Sequence, residues 1–98
     1  MARIELARVD SNGDKIPLVV EIGQPFQNVD GVWHTPVALN GLHERLPDIC
    51  GEDSLQSLCL AFELVRRRLM SVNEDGDRLV TLEGDDFPFD VYFTRPSS

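Results

Sequence analysis

Two cysteines, two histidines, one tryptophan and one tyrosine are all that this 98-residue chain has of several residue types that often build reactive or metal-binding sites. Cys50 and Cys59 are too few for a disulfide framework, and a bond between them is not expected in a cytoplasmic chain. The cysteines and histidines show neither Cys-x-x-Cys nor His-x-x-x-His spacing, so no zinc site, and no cofactor, is expected. Positive charge is also scarce. Nine basic residues face seventeen acids, giving a net charge of −8 that phosphate backbones repel, so no nucleic-acid partner is expected. No apolar run approaches the roughly 20 residues of a membrane-spanning helix, and no membrane partner is expected. The first residues alternate charged with apolar types, unlike a secretory signal, which makes the cytoplasm the expected location.

What is present suits an ordinary globular domain. The hydrophobic share is 42% and the charged share 27%, and 98 residues suffice for one core but not two. One domain over 1–98 is expected, with sheet hairpins in 2–50, a helix over 53–71 and C-terminal strands in 78–93. The acidity is uneven, with seven acids against two bases after residue 71. Such a surface keeps a small protein soluble and can attract a basic partner.

The helix is the plainest element. Asp53 can accept from first-turn N–H groups and Gln56 can reach back, which is a capping-box signature. Leu55, Leu58, Cys59, Phe62, Val65 and Leu69 recur at steps of three and four and predict the buried face, with Cys59 a small core residue. Arg66, Arg67 and Arg68 fall in the expected last turns, where the helix dipole favours cations. Leu60 and Leu64 lie roughly opposite the predicted stripe, near Arg67 and Arg68. Either the C-terminal segment covers them, or Leu60, Leu64, Arg67 and Arg68 form a partner-binding face.

Strand periods flank the helix. Ile4 and Leu6 alternate with charged residues, Asp10 to Asp14 is a turn, and Ile16, Leu18, Val20 and Ile22 return at period two as a hairpin. Trp33, Thr35, Val37 and Leu39 alternate next, and Asn40-Gly41 favours a tight turn into a short strand over Leu42 to Ile49. After the helix, Leu79 to Leu82 and the alternation Phe87, Phe89, Val91, Phe93 read as strands. The expected class is α+β: an antiparallel meander of four to six strands with one main helix on one face.

Candidate chemistry is thin. His34 and His43 stand in no recognisable relation to a nucleophile, although a Cys50–His43 pair is conceivable in space. Asp10, Asn12, Asp14 and Glu21 echo a calcium loop, but Lys15 replaces the required glycine and both flanks read as strands, so a hairpin turn is the better reading.

Three motifs, Ile22-Gly-Gln-Pro25, Trp33-His-Thr-Pro36 and Gly51-Glu-Asp-Ser-Leu-Gln-Ser-Leu58, give the chain a family likeness. It resembles a family of short bacterial proteins known only as a domain of unknown function. The resemblance spans roughly Ala2 to Gly84, and it implies no activity and no catalytic residues to transfer. The expected function is therefore non-enzymatic: an acidic protein-interaction or regulatory domain, binding itself or another protein in the manner of small immunity proteins. The alternative is a small-ligand protein or enzyme with a pocket between sheet and helix, using Trp33, His34, His43 and Cys50.

Overall fold

The computed structural model describes residues 2–41, Leu46 and 48–93. Strands β1 (Ala2–Val9) and β2 (Lys15–Ile22) form the expected hairpin, in register from Ala2 opposite Ile22 to Val9 opposite Lys15. Its turn is held by Asp10, whose Oδ1 accepts from the N–H groups of Asn12 and Asp14, with Gly13 at φ +84°. These side chains serve the turn. Glu21 lies far along β2, opposite Arg3.

The segment read as one strand from Trp33 to Leu39 is divided. Strand β3 (Phe26–Gln27) pairs with β4 (Trp33–Thr35), and β4 pairs with β6 (Ile49–Gly51), forming a small antiparallel sheet. Strand β5 (Val37–Asn40) instead joins β2 in a larger one, whose order is β5-β2-β1-β7 with β7 at Arg78–Thr81. Pro36 stands at the changeover. It has no N–H to give a ladder, while its carbonyl accepts from Gly23 at 2.8 Å. Side-chain alternation runs through the switch, so Thr35, Val37 and Leu39 are all buried. The strand expected over Leu42 to Ile49 lies mostly outside the described residues.

The architecture is thus α+β, with four- and three-stranded antiparallel sheets under one long helix, α1 (Ser54–Glu74). Helix α1 passes over β4 and β6 and reaches β5 and β7. Asp53 caps it, accepting from Gln56 N–H at 2.7 Å, and Gln56 Oε1 accepts from Glu52 N–H. The helix runs past the expected end at residue 71 because the stop signal is Gly76. With φ at +90°, Gly76 donates to Asn73 while Asp77 donates to Val72, the pairing of a Schellman cap. The arginine run therefore sits short of the last turn, which holds no basic residue.

The buried face of α1 also differs from the predicted stripe. It is Ser57, Ala61, Val65, Leu69 and Val72, while Leu55, Cys59 and Phe62 are exposed. The cause is close approach at the helix start. A Cβ on Gly51 would stand 2.6 Å from the Ser57 nitrogen, so only small residues fit where the helix meets β6. Seating Ser57 and Ala61 there turns the larger Phe62 and Cys59 outward. Against the inner face stand Leu6, Leu18, Val20, Ile22, Val37 and Leu39, with Leu79 and Phe87 completing the core.

The last segment is not the predicted strand beyond Phe87. Residues Phe89–Tyr92 form one helical turn, α2, and the rings of Phe89, Tyr92 and Phe93 gather around buried Phe87. The sequence Pro88-Phe-Asp-Val-Tyr92 thus spends its aromatics on a local cluster, not on one face of a ladder. Phe87, Tyr92 and Phe93 border a cavity with Phe62 and Leu69, so this cover serves the Phe62 side of α1.

Candidate functional site

Three places can be built from these elements. The first is the outer face of α1. Glu63 lies at its middle, accepting from Arg66 at 2.5 and 2.9 Å and from Arg67 at 3.1 Å. The hydrogen bonds from Arg66, opposed by partial desolvation and supported by Arg67, hold the Glu63 carboxyl well below the usual carboxylate range, at about 2. The same contact raises the Arg66 guanidinium. Leu60, 46% exposed, borders this cluster on one side; Phe62 and Met70 border it on the other. Of the residues expected to bind a partner, Leu60, Arg67 and Arg68 are exposed and Leu64 is half-buried. Phe62 and Met70 were not foreseen, since periodicity placed Phe62 in the core and passed over Met70.

The second is the space between large sheet and helix. Ile4, Val20, Ile22, Phe62, Val65 and Phe87 are among the side chains around an apolar cavity of about 180 Å³. A pocket between sheet and helix therefore exists, but Trp33, His34 and Cys50 do not line it.

The third lies on the small sheet. The β4–β6 register sets His34 opposite Cys50, and Cys50 Sγ is 3.5 Å from His34 Nδ1. His34 Nε2 is 2.8 Å from the Asn28 side-chain amide, and Phe26 stacks on the imidazole with ring centroids 5.3 Å apart. The sequence marked Cys50 and both histidines; His34 is the one in contact, and His43 lies outside the described residues. Asn28 escaped notice. Its signal was the short hairpin closed by Gly31 at φ +85°, where Asn28 N–H donates to the Val32 carbonyl. Both thiols are free and exposed, which corrects the expectation of a buried Cys59.

Among the described residues no group of three or more His, Cys, Asp or Glu side chains is placed to hold a metal ion. No helix among them is long and apolar enough to cross a membrane.

A family model described as a domain of unknown function, DUF6968, matches residues 2–91. No curated protein and no solved structure matches the chain.

Proposed function

The chain belongs to the DUF6968 family of domains of unknown function, and on that premise we propose that it is a non-enzymatic, acidic interaction domain that binds another protein through the outer face of α1. The observation behind this reading is the pairing of exposed Leu60, Phe62 and Met70 with the Glu63–Arg66–Arg67 cluster on one helix face. Aromatic, methionine and arginine side chains are the types enriched at protein interfaces. Arg67 has a side chain 73% exposed and offers donors to a carboxylate on the partner. The partner surface that fits has an acidic centre with apolar ground on either side. A regulatory or immunity-like role in a bacterial cell follows from this reading, and the two free, exposed thiols suit a reducing compartment such as the cytoplasm.

The test is a Leu60→Glu/Arg67→Glu double variant compared with the parent chain, both shown to be folded by circular dichroism. A partner retained by the parent, lost by the variant and bound again from purified components supports the reading. Binding that is indifferent to the double change refutes it. If light scattering finds a dimer that the variant dissociates, the partner is a second copy.

A second reading rests on the apolar cavity between sheet and helix. Its size is comparable to engineered cavities of about 150 Å³ that take up benzene, so a small apolar molecule is the ligand class. Thermal shifts with benzene and indole test it: ligand at ten times its dissociation constant adds roughly 1.4 kcal/mol to stability, and no shift with either removes the reading.

A further inference from the structure

The interaction face leaves the small sheet without a role, yet this sheet gathers a nucleophile, a base and a group that orients the base. We propose that Cys50, His34 and Asn28 form a thiol-exchange site that takes small, positively charged disulfides. A nucleophile within reach of a base, with the base held by a third group, is the general signature of an activated side chain. Here each part is fixed by a different device. Strand register places His34 against Cys50, the Phe26 ring supports the imidazole plane, and Asn28 meets Nε2 at 2.8 Å.

The orientation of the Asn28 amide decides which ring nitrogen carries the hydrogen. With its oxygen toward the ring, Nε2 keeps a hydrogen and Nδ1 is free to accept the thiol proton. With its nitrogen toward the ring, Nδ1 already carries the hydrogen and cannot take the thiol proton, so the site uses the first orientation. The thiolate left when the proton passes to Nδ1 is the attacking species in exchange.

Charge selects the reactant. Cys50 borders a shallow cleft with Asp30, Glu52 and Gln56, and Asp48 precedes β6. The acidic residues at and beside this cleft favour a cationic disulfide over an anionic one. In the step itself the Cys50 proton passes to His34 and the thiolate attacks one sulfur of R–S–S–R. A Cys50–S–S–R bond forms as the original S–S bond breaks, and the departing R–S⁻ takes up the proton as R–SH. Cys50 is oxidised to the disulfide level and the departing half is reduced to thiol.

Cys59 is the internal reference, an exposed thiol on α1. Single-cysteine chains, Cys59→Ser and Cys50→Ser, are reacted at pH 7 with cystamine and with the anionic dithiobis-nitrobenzoate, and modification is followed by intact mass. Cys50 is expected to react with cystamine about tenfold faster than Cys59, and its preference for cystamine over the anionic reagent should exceed that of Cys59. His34→Gln in the Cys50-only chain should bring its rate down to the Cys59 level. Asn28→Ala should slow it, with Asn28→Asp, which keeps the acceptor, restoring the rate. Circular dichroism confirms that each chain is folded. Equal rates for the two thiols, or a rate unmoved by His34→Gln, overturn the site; an unchanged reagent preference overturns the choice of a cationic partner.

Discussion

The large and the small sheet lie under the same helix, and the helix treats them differently. Over the large sheet it offers Val65, Leu69 and Val72, which join Leu6, Leu18 and Leu39 in one apolar core. Over the small sheet it offers Ser57, whose hydroxyl meets Thr35 Oγ1 at 2.8 Å, both residues being fully buried. Ser57 also donates to the Ser54 carbonyl at 3.1 Å, so in the joint network Thr35 is the donor in the pair. One junction is held by area, the other by a hydrogen bond and close backbone approach. The large sheet is where stability is concentrated, and this leaves the outer face of the small one free to carry polar side chains such as His34 and Cys50.

The strongest test of this contrast is Leu39→Ala. Leu39 is 0% exposed in the middle of the core, and its truncation should cost about 2–5 kcal/mol in urea unfolding. Cys50→Ser, exposed on the small sheet, should stay within about 0.5 kcal/mol. Comparable losses would break the comparison.

Gly51→Ala probes a point of close approach between the small sheet and the helix. The new Cβ would stand 2.6 Å from the Ser57 backbone nitrogen, and a loss of about 1–3 kcal/mol is expected from overpacking. Ser57→Ala should cost about 1–2 kcal/mol, since it leaves the buried Thr35 hydroxyl without its acceptor. Adding Thr35→Val should recover most of that loss, and a double-mutant cycle with no coupling would show that the hydrogen bond does not hold this junction. Asp53→Ala, which removes the helix cap, should cost about 1 kcal/mol.

The smallest effect belongs to the outer face of α1. Glu63 titrates below its ordinary value when folded, so its contact with Arg66 and Arg67 stabilises the fold above the unfolded carboxylate pKa. That contribution disappears as pH falls from about 4.5 through about 2. The difference in melting temperature between the parent chain and Glu63→Gln should therefore shrink across this window. Because the carboxylate is 41% exposed, salt should shrink it as well.

Residues that follow local rules were legible in the sequence. The β1–β2 hairpin, the Asp53 cap and the strand at Leu79 were all read from period and turn chemistry. The exact burial of α1 was not, because periodicity weights large apolar residues and the closest packing here belongs to Ser57 and Ala61. Nor was the division at Pro36, since alternation is unbroken across it and only the ladder partners change. The Asn28–His34–Cys50 contact depends on pairing β3 with β4 and β4 with β6. Those partners are up to eighteen residues apart, as Trp33 and Gly51 are, and no local pattern encodes them.

A ribosome delivers β1 before the other strands and β7 after them, although the two lie side by side in the large sheet. Between closure of the first hairpin and the arrival of Arg78, one edge of β1 has no strand on it. Such an edge invites pairing with neighbouring chains. Arg3, Glu5 and Arg8 punctuate β1 with charge, which discourages that pairing while the nascent chain waits. Completion then brings Asp77 to within 2.5 Å of Arg8, so the same arginine that guards the open edge during synthesis helps to close it at the end.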